Sequence, residues 1–165
     1  MELLILGAGG LGGVVAETAQ MIGVYSKIAF LDDNAADAIG KLDEADKFRT
    51  GFSHAIPAVG DNQKRCELLD MLRVRGYQIP VIIHPSAFVS PNACLGEGTI
   101  VRAMAAVSRD VVIGEGCLIN VGALINHGCR IGKGSHIPMG CVVRGEVEVP
   151  EMSVFEPNSV VEGIV

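Results

Sequence analysis

The chain has 165 residues, enough for one large domain or two small ones. It is 49% hydrophobic but only 4% aromatic, so its core is built from aliphatic and small side chains, which suits a regular, narrow architecture. A net charge of −6 without any cluster of Lys and Arg argues against a nucleic-acid surface, where grouped cations must meet phosphates.

The opening "MELLILGAGG" lacks a basic n-region and runs straight into glycines, so it reads as a first strand and not as a signal peptide. Leu3 to Leu6 are the apolar run of a buried parallel strand. Gly7, Gly9 and Gly12 match G-x-G-x-x-G, and a helix follows with Val14, Val15, Thr18, Ala19 and Ile22 on one side. "KIAFLDDN" is a second strand. It ends in Asp32 and Asp33, twenty and twenty-one residues beyond Gly12. Glycines let backbone approach a ligand, a helix N-terminus favours phosphate, and an acidic residue there can hold a ribose hydroxyl. Only about 80 residues precede the repeat described below, which is room for half a dinucleotide fold. A mononucleotide or nucleotide-sugar therefore fits better than NAD. A tight turn without a ligand is the alternative.

The polar segment from Asp43 to Ser53 is expected to be a loop or a short strand connection. "HAIPAVGDN" is a strand and a Gly60-Asp61-Asn62 turn. An amphipathic helix follows, with Leu68, Leu69, Leu72 and Val74 on its packed side. His84, just before a proline, is expected to be structural.

From Val89 onward every sixth residue is apolar, through Leu95, Val101, Val107, Ile113, Ile119, Ile125, Ile131, Ile137, Val143, Val149 and Phe155 to Val161. Four residues after each stands a small or β-branched residue, from Ala93 to Val165. A helix repeats at 3.6 residues and a strand at two, so neither alone explains two phases locked at six. A coil of short strands with a bend in every hexad does. The large apolar residue points inward and the small one packs beside it, where Cys117, Cys129 and Cys141 act as small hydrophobes. Glycines 96, 98, 114, 116, 132 and 134 supply turn geometry. Five cysteines without a CxxC or a secretion signal suggest reduced thiols in a cytoplasmic protein. No apolar run approaches the roughly 18 residues of a membrane span.

"LINHGCRIGKGSH" carries His127 and His136 within this repeat. Histidine titrates nearest neutrality, so both are candidates for proton transfer.

The repeat resembles the hexapeptide repeat of bacterial acyltransferases. The whole chain, a short Gly-rich module, an "IHPSAFVSPNA" junction and coils containing "LINVGALINHGCRIGKGSHI", resembles the nucleotide-sugar N-acetyltransferases and their relatives, the sialic acid O-acetyltransferases. The resemblance implies a Rossmann-like α/β module over residues 1–82 and a left-handed parallel β-helix of about four coils over residues 83–165. It further implies a homotrimer with acetyl-CoA as co-substrate in a groove between neighbouring β-helices, and no metal. By the same resemblance His127 is the general base, His136 lies along the acetyl-CoA site and Gly145 lies near the pantetheine arm. Gly7, Gly9, Gly12, Asp32 and Asp33, together with the turn from Gly60 to Asn62, bind the nucleotide-sugar.

An amino-sugar nitrogen must be unprotonated to attack a thioester, and a histidine near neutral pH can take its proton. Backbone N–H groups in tight turns can meet the oxyanion. The family usually has Glu or Asp after the base; here it is Gly128, leaving Asn126 or Asn120 to hold the ring. Family members also usually add further coils and a tail that covers the CoA, so a chain ending at Val165 is expected to bind acetyl-CoA poorly or to present a different groove. The alternatives are sugar O-acetylation, a catalytically weak nucleotide-sugar-binding trimer, and a zinc hydratase on the same β-helix. The last would need three histidines where the repeat offers two.

Overall fold

The computed structural model describes residues 1–163, so Val165, the last small position of the repeat, lies outside the described residues. The chain divides into two compact units, Met1–Pro80 and Val81–Val165. Ile82 and Ile83 together form the first short strand of the second unit.

In the first unit a three-stranded parallel sheet runs in the order β2-β1-β3, with β1 at Glu2–Leu6, β2 at Lys27–Leu31 and β3 at His54–Pro57. Leu3 to Leu6 are fully buried, as a central strand covered on both faces requires. Helix α1, Gly10–Ile22, connects β1 to β2 and buries Val15, Thr18 and Ala19; Val14 and Ile22 of the expected stripe are only half-buried. It ends on Gly23 in the left-handed conformation, φ 77°.

Two expectations need correction here. The stretch from Asp43 to Ser53 begins inside a 3-10 helix, Leu42–Phe48. Glu44 caps it by accepting from the Lys41 N–H (3.0 Å), and its buried Ala45 offers a carbonyl to the Tyr77 hydroxyl (2.8 Å). In helix α2, Asn62–Val74, Val74 is 89% exposed. The buried stripe is Arg65, Leu68, Leu69 and Leu72, the spacing that places four side chains on one helical face, and Val74 falls outside it.

The second unit is a left-handed parallel β-helix of two-residue strands in three sheets. The first sheet stacks Ile82–Ile83, Ile100–Val101, Leu118–Ile119 and His136–Ile137. The second stacks Phe88–Val89, Ala106–Val107, Leu124–Ile125, Val142–Val143 and Val160–Val161. The third stacks Cys94–Leu95, Val112–Ile113, Arg130–Ile131 and Glu148–Val149. Partners are eighteen residues apart in sequence, as in Ile100↔Leu118↔His136. Equivalent residues of successive coils therefore stand in vertical columns. The hexad residues from Val101 to Val149 fill one continuous aliphatic core.

The glycines of the repeat do two different jobs. Every sixth residue from 98 to 158 has a left-handed φ; Gly98, Gly116, Gly122, Gly128, Gly134 and Gly140 share that role with Met104, Asp110, Glu146, Met152 and Asn158. Gly96, Gly114 and Gly132 have no such φ, and there the constraint is proximity. A Cβ on Gly114 would lie 2.7 Å from the backbone nitrogen of Lys133 in the next coil. The small position also carries a directional bond. Thr99 and Ser135 hydroxyls donate to the carbonyls of Gly114 and Pro150 (both 2.9 Å), and the thiols of Cys117 and Cys129 do the same to Gly132 (3.2 Å) and Arg144 (2.9 Å). Burial raises the Cys129 thiol above its ordinary pKa, which keeps it protonated and unreactive.

Candidate active site

In the first unit the glycine loop lies between β1 and α1. Gly7 has φ 112°, and a Cβ there would meet the Ala58 carbonyl oxygen at 2.8 Å. A Cβ on Gly12 would run into the Gly7 carbonyl, so Gly12 lets the helix close onto the strand. Both glycines are required by the fold itself. Gly9, the N-cap of α1, faces open space.

Asp32 closes this loop. Its Oδ2 accepts from the Ala8 N–H (2.9 Å) and its Oδ1 from Asn34 (2.8 Å) and Ala35 (3.0 Å). These backbone donors, Ala8 foremost, hold its carboxyl below the usual pKa. Asp33 is exposed and accepts from the Leu42 N–H (3.2 Å). It lines a cleft of about 360 Å³ together with Lys41, Asp43 and Lys64. The turn at Gly60 to Asn62 is set by a residue that the sequence reading missed. Arg65, fully buried, donates to the carbonyls of Val59 and Gly60 (3.1 Å each) and to Asn62 Oδ1 (2.7 Å). Asp61 caps α2 by accepting from the Lys64 N–H (2.7 Å). An arginine in step with Leu68, Leu69 and Leu72 was the available signal.

The two β-helix histidines have different surroundings. His136 lies in the first sheet and is half-buried. Its Nε2 is 3.0 Å from Asn120 Nδ2. Asn120, 6% exposed, uses Oδ1 to accept from Arg102 (2.9 Å) and from the Val121 N–H (2.8 Å). Both of those partners can only donate, so the orientation of the amide is fixed and Nδ2 must donate to His136. The Nε2 lone pair of His136 is therefore occupied.

His127 lies at the corner between the second and third sheets and is exposed. Among the described residues its ring makes no hydrogen bond. The ring rests on Gly145 one coil above, where a Cβ would stand 3.1 Å from both Cε1 and Nε2. The absence of a side chain at Gly145 thus leaves the space that the imidazole occupies. Neither expected amide holds the ring. Asn126 Oδ1 accepts from the His127 backbone N–H (2.8 Å), and Asn120 belongs to His136. His127 and His136 do not share a face of the β-helix. His84 Nδ1 accepts from the Ser86 N–H (3.1 Å), and His54 Nδ1 bonds the Ser53 hydroxyl (2.8 Å).

The two faces that meet at His127 differ in character. The outward column of the second sheet is Phe88, Ala106, Leu124, Val142 and Val160, with Phe88 61%, Leu124 45% and Val160 58% exposed. A groove of about 340 Å³ runs along it, bordered by Ser108 and Asn126. The third sheet carries a groove of about 770 Å³ in which Glu115, Glu146, Glu148 and Glu151 outnumber Arg130 and Lys133, a poor cradle for phosphate. Among the described residues no group of three His, Cys, Asp or Glu is arranged to hold a metal ion, and no helix is long and apolar enough to cross a membrane.

Known proteins share both units. The PglD N-terminal domain matches residues 2–72, and the bacterial transferase hexapeptide (six repeats) matches residues 110–145. The acetyltransferase domain of PglB from Neisseria gonorrhoeae superposes with a TM-score of 0.84 at 31% identity, over 98% of this chain and 91% of that one. The chain belongs to the hexapeptide-repeat sugar N-acetyltransferase family. Within this family, PerB from Caulobacter crescentus, solved with CoA and GDP-perosamine, matches with a TM-score of 0.85 at 29% identity, over 99% of this chain and 89% of that one. The PglB domain is also known in complex with acetyl coenzyme A. UDP-N-acetylbacillosamine N-acetyltransferase of Bacillus subtilis (strain 168) is 33% identical over 111 residues, 62% of this chain and 51% of that family member. The match thus spans about half the length of the curated relative.

Proposed function

We propose that this protein transfers the acetyl group of acetyl-CoA to the amino group of a nucleotide-linked amino-sugar, with His127 as general base. The observation that carries this reading is the contrast between the two histidines. The lone pair of His136 is occupied by Asn120, whereas the ring of His127 is exposed, rests on Gly145 and is unbonded among the described residues. His127 takes the proton as the amine attacks the thioester carbonyl, and the CoA thiolate leaves without a covalent enzyme intermediate. His136 contributes to the acetyl-CoA site. Gly9, Asp33 and the Arg65-braced turn at Gly60 and Asn62 supply the nucleotide-sugar contacts. Gly7, Gly12 and Asp32 shape the loop that presents them.

The working assembly is a cytoplasmic homotrimer. The exposed apolar column of the second sheet supports self-association, because such a contiguous strip on a rigid face is what a partner subunit covers. His127, at the edge of that strip, then lies in the cleft between subunits. The free cysteines suit a reducing compartment.

The test is thiol release from acetyl-CoA with a panel of UDP- and GDP-amino-sugars. Release should require an amino-sugar and should fall about 10²- to 10⁴-fold in His127→Ala, the range for loss of a general base. Wild-type turnover in the mutant would remove His127 from the mechanism. Release with hydroxyl acceptors alone would establish O-acetylation instead.

A further inference from the structure

Residues 110, 128 and 146 form one column of left-handed turns, with φ of 60°, 69° and 62°. The middle one, next to His127, is glycine. A Cβ on Gly128 would lie 3.3 Å from Glu146 Cγ, so the Glu146 side chain leans over Gly128 and fills the space a side chain there would take. In the neighbouring column the His127 ring leans the opposite way, onto Gly145. The Glu146 N–H donates to the His127 carbonyl (2.9 Å), which locks the two coils together at this point. Imidazole and carboxylate thus occupy adjacent columns, each leaning toward the other's level.

The other charges at this corner are paired. Arg109, below His127, binds Asp110 (2.7 Å), and Arg144 binds Glu162 (2.8 Å). Arg130 and Glu148 face each other at 3.9 Å. Among the described residues the Glu146 carboxylate has no hydrogen bond or ion pair.

We propose that Glu146 is the positioning residue for His127, an inference that rests on His127 being the base. Its carboxylate accepts from Nδ1–H and leaves the Nε2 lone pair for the acceptor amine. A neutral imidazole has one N–H and one lone pair, and the partner of one nitrogen decides which is which. In the rotamers of this structure the two groups are not hydrogen-bonded. Rotation about the terminal torsions of Glu146 brings its carboxylate across one coil spacing of about 4.8 Å. No proton passes to Glu146; it orients the ring and favours the imidazolium formed when Nε2 takes the amine proton.

The variants are Glu146→Gln, Glu146→Ala and the double variant Glu146→Ala with Gly128→Asp. Aspartate is the conservative rescue, because Asp110 already adopts this turn conformation in the same column. Steady-state kinetics are read alongside the ring ¹⁵N shifts of His127 in the full chain, assigned with His127→Gln. Glu146→Gln should lower kcat about 10- to 100-fold with KM little changed, as loss of an orienting partner does. Gly128→Asp should restore most of the loss in the alanine background, and the ring shifts should move toward mixed tautomers in Glu146→Gln. Unchanged ring shifts overturn the proposal, whatever kcat does. If kcat also falls, without rescue by Gly128→Asp, Glu146 is instead a substrate contact or a structural residue. If His127→Ala stays active, the base assignment is what fails, and the ring shifts still decide whether Glu146 holds the imidazole.

Discussion

Single residues here differ most in whether their bonding capacity is already committed. Asp32 lies at the expected ribose-binding position, yet its two oxygens hold three backbone N–H groups and tie the glycine loop to the end of β2. That commitment has a pH signature. Because the folded pKa is depressed, mainly by Ala8, the stabilisation is complete above the ordinary value of 3.8 and is lost as pH falls through the lower folded value. The gap in denaturant midpoint between wild type and Asp32→Asn should therefore be widest near neutrality and should close below pH 3.8. A gap that persists undiminished in acid would mean that the carboxylate charge is not what stabilises the loop. The same distinction separates the histidines. Sequence marks both as candidates, but only the Asn120 amide, fixed by Arg102 and Val121, shows which one has its lone pair in use.

Among the elements, the hexads were legible because their period excludes both helix and ordinary strand, and the core follows the predicted inward positions from Val101 to Val149. What the sequence did not separate were two classes of glycine with identical composition. Gly122 is needed only for its φ of 65°, since nothing lies within 4 Å of its absent Cβ. Gly114 is needed because the next coil's backbone is in the way. Gly122→Ala should cost about 1–2 kcal/mol, the price of a left-handed alanine. Gly114→Ala should cost about 3 kcal/mol, because backbone must move. Equilibrium denaturation of the two variants gives the order directly, and equal losses would mean that the coils can spread. The 3-10 helix Leu42–Phe48 was hidden for a different reason. It is too short to show a period, and it depends on a tertiary bond from Tyr77 to Ala45.

At the scale of the whole molecule, each unit sets side chains in places that the sequence pattern alone does not reveal. Arg65 was overlooked because a charge in an apolar stripe looks like an interruption; it is instead what braces the Gly60 turn. The apolar column from Phe88 to Val160 was legible residue by residue but not as a surface until the register stacked it. If that column is the trimer contact, the wild type should sediment as a trimer at micromolar concentration. Leu124→Glu should release monomers that keep the β-sheet circular dichroism of the parent. A variant that remains trimeric would move the interface to another face.

The close stacking at Gly96, Gly114 and Gly132 also governs how a protein of this kind can change length. Insertion or loss of a single residue between these coils rotates every later column out of line, which separates Glu146 from Gly128 and Gly145 from His127. Eighteen residues gained or lost return every column to its place. The molecule can therefore grow or shrink only in whole turns, like a spring cut between windings, and each added turn offers new partners to the corners already present.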